Sequence, residues 1–363
     1  MRNLSTLAWR VYDAPTKPWH GVVADTEGDD SVYVMRVERR DGVSQLTLAH
    51  ITPTGTEELA VLEVAAAPPH VPDVADFRLL ADGGSSVNHM PAICVIGSGG
   101  DIVLMPVDEE ASAPAEVVGS VDQGILAAAW SPEEDVLVLI TGGEKRLIVM
   151  TREFEVMSET MLSTEAFGDD QPVNVGWGSK STQFHGSEGK QAAMAAANAP
   201  EESDPRGPLV PEDDGLPRIS WRGDGAFFVT SSAEASNDAV HRILRTYTRT
   251  GTLSATSDRS VRGISHVLAC RPTGNLIATT QRMGGPWAPG RHGRHDVVFF
   301  ERNGLRHGEF SLREEHGSVP DVPGVSAEPL PPWSCEHQIR LVSWNADGSV
   351  LAVVLQRAGQ YVL

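Results

Sequence analysis

Fifteen residues, Gly176-Trp-Gly-Ser-Lys-Ser-Thr-Gln-Phe-His-Gly-Ser-Glu-Gly-Lys190, form the least ordinary stretch of this sequence. Lys180, Gln183, His185, Glu188 and Lys190 stand there among four glycines. A strand would normally carry β-branched residues at such positions, because these pack on a pleated, half-buried face. Gly186-Ser-Glu-Gly-Lys190 has the outline of a phosphate-cradling loop. It fails twice: the motif's first glycine would fall at Phe184, and Gln191 stands where a hydroxyl would hold magnesium. The segment reads instead as a protein contact. Lys180, Gln183, Phe184, His185 and Lys190, flanked by Trp177 and Glu188, would present one polar face with Phe184 as its anchor. The alternative is that glycines and polar residues only bend a strand and hold a loop.

Other chemistry is sparse. No Gly-x-Ser-x-Gly elbow is present to strain a nucleophilic serine. His292 and His295, with Cys335 and His337, match no zinc spacing and lie in Gly/Pro-rich loops, so they read as solvated histidines. The acidic pairs Asp29-Asp30, Glu109-Glu110, Asp169-Asp170 and Asp213-Asp214 read as solvated surface rather than an acid–base pair in a cleft. The residues therefore point to a protein that is not an enzyme, with no cofactor and no metal.

The elements that must position these residues repeat along the chain. A few apolar residues, a Trp, a short turn and a longer apolar run recur at Trp130, Trp177, Trp221 and Trp344, with Cys270 in the same place in one copy. The anchors are 47, 44, 49 and 74 residues apart, near the period of propeller blades with loop insertions in the last interval. A second anchor, an Arg-bearing turn at Arg152, Arg249 and Arg302, follows in the same order each time. Asp224-Gly225 and Asp347-Gly348 predict tight hairpins needing positive φ, and the tryptophans read as wedges between blades. With two earlier blades, through Val32 and Phe77, the chain reads as an all-β, seven-bladed WD40-like β-propeller. Its last blade is incomplete at Leu363, and Leu4–Val11 is a candidate outer strand that closes the ring. One domain would span residues 1–363, with a disordered acidic, Pro-rich loop at 191–215 and insertions at 282–295 and 313–335.

Bulk properties agree. Gly 35 and Pro 24 suit many short strands and turns. No apolar run approaches a membrane span, and the N-terminus has no secretory signal core. Three scattered cysteines suggest buried thiols in a reducing compartment, the cytosol or nucleus. The net charge of −20 argues against a polyanion binder. Yet Arg242 to Arg313 holds twelve Arg, no Lys and four acids, a local +8. Arg282, Arg291, Arg294, Arg302 and Arg306 are the candidate basic patch there, and RNA contact is the alternative function.

The stretch Val173–Lys190, the opening Met1-Arg-Asn-Leu and the later Ile219-Ser-Trp221-Arg-Gly-Asp-Gly resemble the elongator complex protein 1 family, the largest subunits of the Elongator complex. The resemblance implies the first propeller of a longer protein. It also implies a non-catalytic scaffold supporting carbon-5 modification of wobble uridine in tRNA. The implied partners are a catalytic subunit with radical S-adenosylmethionine and acetyltransferase-like domains and a second WD40 subunit, with tRNA met indirectly and no membrane.

Overall fold

Every regular element among the described residues is a β-strand in the computed structural model. The described residues are 19–24, 31–81, 91–107, 114–162, 209, 213–236, 239–257, 263–282, 295–311, 338–357 and 360–362. They divide into two compact units, one within residues 13–163 and one within residues 164–363.

The first unit holds three four-stranded antiparallel meanders. They are β1 (Gly21–Ala24), β2 (Val32–Arg40), β3 (Val43–Thr52) and β4 (Gly55–Ala65); then β5 (Val74–Leu80), β6 (Ala92–Gly97), β7 (Asp101–Pro106) and β8 (Glu116–Ser120); then β9 (Ile125–Trp130), β10 (Val136–Thr141), β11 (Arg146–Thr151) and β12 (Val156–Met161). Burial is deepest in the inner strands of each sheet. Ala-Ile-Cys-Val-Ile-Gly in β6 and Val-Leu-Val-Leu-Ile-Thr in β10 are buried at every position, as strands covered on both faces should be. The fourth strand β12 is largely exposed. First strands lie side by side, β1 next to β5 and β5 next to β9.

The second unit repeats the plan. Its sheets are β13 (Arg218–Trp221), β14 (Phe227–Ser236), β15 (Ala239–Thr248) and β16 (Leu253–Thr256); β17 (Ile264–Cys270), β18 (Leu276–Arg282), β19 (His295–Glu301) and β20 (Arg306–Ser311); and the three-stranded β21 (Gln338–Trp344), β22 (Leu351–Arg357) and β23 (Gln360–Val362). Again β13 runs next to β17, and β17 next to β21. This stacking of antiparallel meanders by their first strands is the construction of a β-propeller. Six of the seven expected blades correspond to these sheets. The blade expected around Trp177, and the closing strand expected at Leu4–Val11, lie outside the described residues.

The repeat has a single structural meaning. Trp130, Trp221, Cys270 and Trp344 each close the first strand of their sheet. The turn that follows is the same in each copy: Ser131 donates to Val136, Arg222 to Phe227, Arg271 to Leu276 and Asn345 to Val350. Its fourth residue takes positive φ, at Glu134, Gly225, Gly274 and Gly348. The Asp-Gly expectation holds at both predicted turns, since Gly225 has φ 65° and Gly348 φ 70°.

The second anchor is equally regular. After β11, β15 and β19, the residue two beyond the Arg (Phe154, Gly251, Gly304) takes positive φ and a bulge shifts the register. This is a type I turn closed by a left-handed bulge residue. Arg152 reaches back to donate to the Glu134 carbonyl at 3.4 Å, and Arg249 to the Gly225 carbonyl at 3.2 Å. One turn therefore clamps the other within each of these sheets.

The core lies between sheets. Leu80, Cys94, Ile96 and Leu104 from the second sheet meet Ile125, Trp130, Leu137 and Leu139 from the third. Phe227, Val229 and Leu244 meet Ile264, Ile277 and Phe300 in the other unit. Trp130 is 3% exposed and meets the Phe154 ring edge-on at 5.9 Å, as expected of a wedge. Trp344 similarly meets Phe299 of the preceding sheet, their centroids 6.1 Å apart.

Candidate functional site

Trp177, Lys180, Gln183, Phe184, His185, Glu188 and Lys190 lie outside the described residues, as do Arg291, Arg294, His292, Cys335 and His337. His295 opens β19 opposite Arg282 and is buried, as is Asp296 beside it. Among the described residues, no three of His, Cys, Asp and Glu gather as a metal set.

The Arg242–Arg313 run resolves into individual roles. Arg242 is buried and grips Asp213 with both ends of its fork, Nε to Oδ2 at 2.5 Å and Nη2 to Oδ1 at 2.6 Å. Both side chains have no exposed surface, and Arg242 also donates to the Leu216 carbonyl at 2.8 Å. Arg245 holds Glu234 with two bonds, the second at 2.9 Å. Arg218 pairs with Asp214 at 2.5 Å. Asp213 and Asp214, at the end of the stretch expected to be loop, are thus tied to β15 and β13. Arg306 pairs with Glu309 and donates to Gln281 at 3.1 Å. Burial, and then Arg218, hold the nearby His266 imidazole below its ordinary pKa.

A different group of arginines collects where first-to-second and third-to-fourth strand turns share one end of these sheets. Arg222, after Trp221, and Arg302, in the β19–β20 turn, both reach the Phe227 ring. Their guanidinium carbons lie 5.7 and 5.0 Å from its centroid. Gly223 has no Cβ, and one placed there would sit 2.8 Å from Pro272, so the β13–β14 turn closes directly on the β17–β18 turn. Arg271, beginning that second turn, donates from Nε to the Gly348 carbonyl at 2.8 Å and lies 5.7 Å from the Trp344 ring. Arg222 and Arg302 thus share one ring, and Arg271, on the turn that abuts Arg222's, lies against another. Reading the sequence for charge density missed Arg222, which lies outside the Arg242–Arg313 window. The signal that finds it is the repeat: Arg follows the first anchor at Arg222 and Arg271, and sits in the second anchor at Arg302.

Buried titratable groups in the two units do not suit nucleophilic chemistry. Burial pushes the Cys94 thiol far above the usual range, and Cys270 up to about 12, so neither is a thiolate at neutral pH. Asp76 on β5 is pushed up to about 6 by burial, against the pull of Arg78. Its charged form is disfavoured in the fold, so stability should fall as pH rises from about 4 to about 6 and then level off. Asp76→Asn is expected to remove that fall. The variant should match the parent near pH 4 and exceed it at pH 8 by about 2 kcal/mol, read by urea unfolding at both values.

Comparison with known proteins adds a family and several relatives. The family described as ELP1 first N-terminal beta-propeller matches residues 1–362. The chain is 33% identical over 367 residues to elongator complex protein 1 of Mus musculus, covering 98% of this chain and 23% of that one. It is 38% identical over 265 residues to the Oryctolagus cuniculus protein, covering 73% and 17%. It is 35% identical over 264 residues to the Schizosaccharomyces pombe protein, covering 72% and 18%. This chain thus spans less than a quarter of the length of these relatives. Among solved structures, Sqt1 of Chaetomium thermophilum bound to the N-terminus of ribosomal protein L10 aligns with TM-score 0.46 at 15% identity, over 95% of this chain and 71% of that one.

Proposed function

The chain belongs to the elongator complex protein 1 family, matching its first N-terminal propeller, and on that premise we propose that it is a non-catalytic scaffold segment of the Elongator complex. The observation that carries this reading is the family match across residues 1–362. The geometry supports it. Stacked sheets with apolar cores between them make a stiff platform, and its function must lie in surfaces presented by turns. The buried thiols and internally paired arginines described above leave those surfaces as the working parts.

In this reading the propeller helps hold a catalytic subunit, with radical S-adenosylmethionine and acetyltransferase-like domains, together with a second WD40 subunit. The assembly would modify carbon 5 of wobble uridine in tRNA, with the chemistry performed elsewhere and tRNA met indirectly. The whole of residues 1–363 acts as one domain, in the cytosol or nucleus. Lys180, Gln183, Phe184, His185 and Lys190, flanked by Trp177 and Glu188, make the partner contact in this reading.

The test is affinity purification of the complex from cells whose copy lacks residues 1–363. Co-purification of the catalytic subunit should drop. Undiminished recovery would remove the scaffold role.

A further inference from the structure

We infer that the row formed by Arg222, Arg271 and Arg302 is a docking site for an acidic peptide segment of a partner protein. The inference rests on the scaffold reading, which it deepens by naming the chemistry of one contact.

Arg302 is exposed, and among the described residues it has no hydrogen-bond or ion-pair partner. Its guanidinium lies 5.0 Å from the Phe227 ring centroid. A guanidinium stacked on a ring keeps its N–H edge available for a carboxylate fork. Arg222 shares the same ring and has Asp224 at 3.3 Å, an acid whose side chain is itself 52% exposed and so screened by water. Arg271 commits Nε to Gly348 and lies near Trp344. The turns of Arg222 and Arg271 abut through Gly223 against Pro272, and Arg302 is joined to Arg222 by the Phe227 ring they share. Like charges held close on a stiff frame are relieved by an incoming anion rather than by moving apart.

Carboxylates suit the row better than a nucleic-acid backbone. A phosphate backbone extends its charge well past three arginines and needs a continuous basic track. Here the β13–β14 turn also carries Asp224, the adjoining β21–β22 turn carries Asp347, and the chain as a whole is −20. At physiological salt a charge acts over about 8 Å, so a short acidic peptide meets the row alone. A longer polyanion would run onto acidic surface.

Fluorescence anisotropy with the full 363-residue chain tests this, using a fluorescein-labelled oligoglutamate peptide and an oligouridylate of equal length. The peptide should bind more tightly than the RNA. Arg302→Ala and Arg222→Ala should each weaken peptide binding about tenfold, the scale of losing a charge-assisted bond. Arg302→Lys, which keeps the charge but not the fork, should also weaken it. Arg146→Ala, which removes a surface arginine paired with Glu144 and Glu159, should leave it unchanged. Thermal unfolding of each variant reports folding separately. Wild-type affinity in Arg302→Ala and Arg302→Lys, or tighter binding of the RNA, overturns the inference. Loss of catalytic-subunit recovery on deleting residues 1–363 would still stand in that case, so the two readings fail separately.

Discussion

Asp213→Ala is expected to lower the unfolding free energy by about 3–5 kcal/mol, the range seen when one partner of a buried ion pair is removed. The reason is what remains. Arg242 has no exposed side-chain surface, and Asp213 accepts from two of its nitrogens at 2.5 and 2.6 Å. Without that carboxylate a full positive charge stays buried, with the Leu216 and Ser231 oxygens to receive its donors and only the partly exposed Asp214 carboxylate, 3.7 Å away, to offset it. The double variant Asp213→Leu with Arg242→Met removes the charge together with its partner. It should recover most of the loss, because a buried pair adds little net stability over apolar groups of similar volume. Urea unfolding of Asp213→Leu, Arg242→Met and their double closes the cycle. Additive losses would show that the two residues do not act as a pair.

Trp130→Ala is expected to cost a similar amount, about 3–5 kcal/mol, by a different route. The indole is 3% exposed and fills the space between the second and third sheets, among Cys94, Leu137 and Phe154. Truncation loses its transfer energy and leaves a cavity between two stiff sheets that cannot easily close. Trp130→Phe, which keeps a ring in the gap, should recover at least half of the loss. Equal loss in both variants would mean that the ring's volume is not what matters.

The fold was readable because its signals are local. A Trp or Cys before a polar turn and an apolar run marks the end of a first strand, and all four described anchors fall there. Turn chemistry was equally direct, since Asp-Gly needs no knowledge of distant residues. Short β1 was not legible: Gly21-Val-Val-Ala24 is four residues long, too brief to show a period. Glu134 in a left-handed turn was also hidden, because glycine fills that position in the other copies.

Charge was the least legible property. Twelve arginines in one run suggest a basic surface until their partners are known. Arg242 finds Asp213 across 29 residues and Arg245 finds Glu234 across 11. Such pairs depend on strand register, which composition does not encode. The arginines that remain at the turn end, Arg222 and Arg302, were marked by their place in the repeat rather than by local charge density. The polar segment at 176–190, which carried the family resemblance, lies outside the described residues, so its contact role stands as a proposal.

The most direct test of the scaffold account is mass-spectrometric quantification of tRNA wobble uridines in the host after removing the segment that encodes residues 1–363. The account predicts loss of the carbon-5 modification while the catalytic subunit is still made. Normal modification in that strain would contradict it.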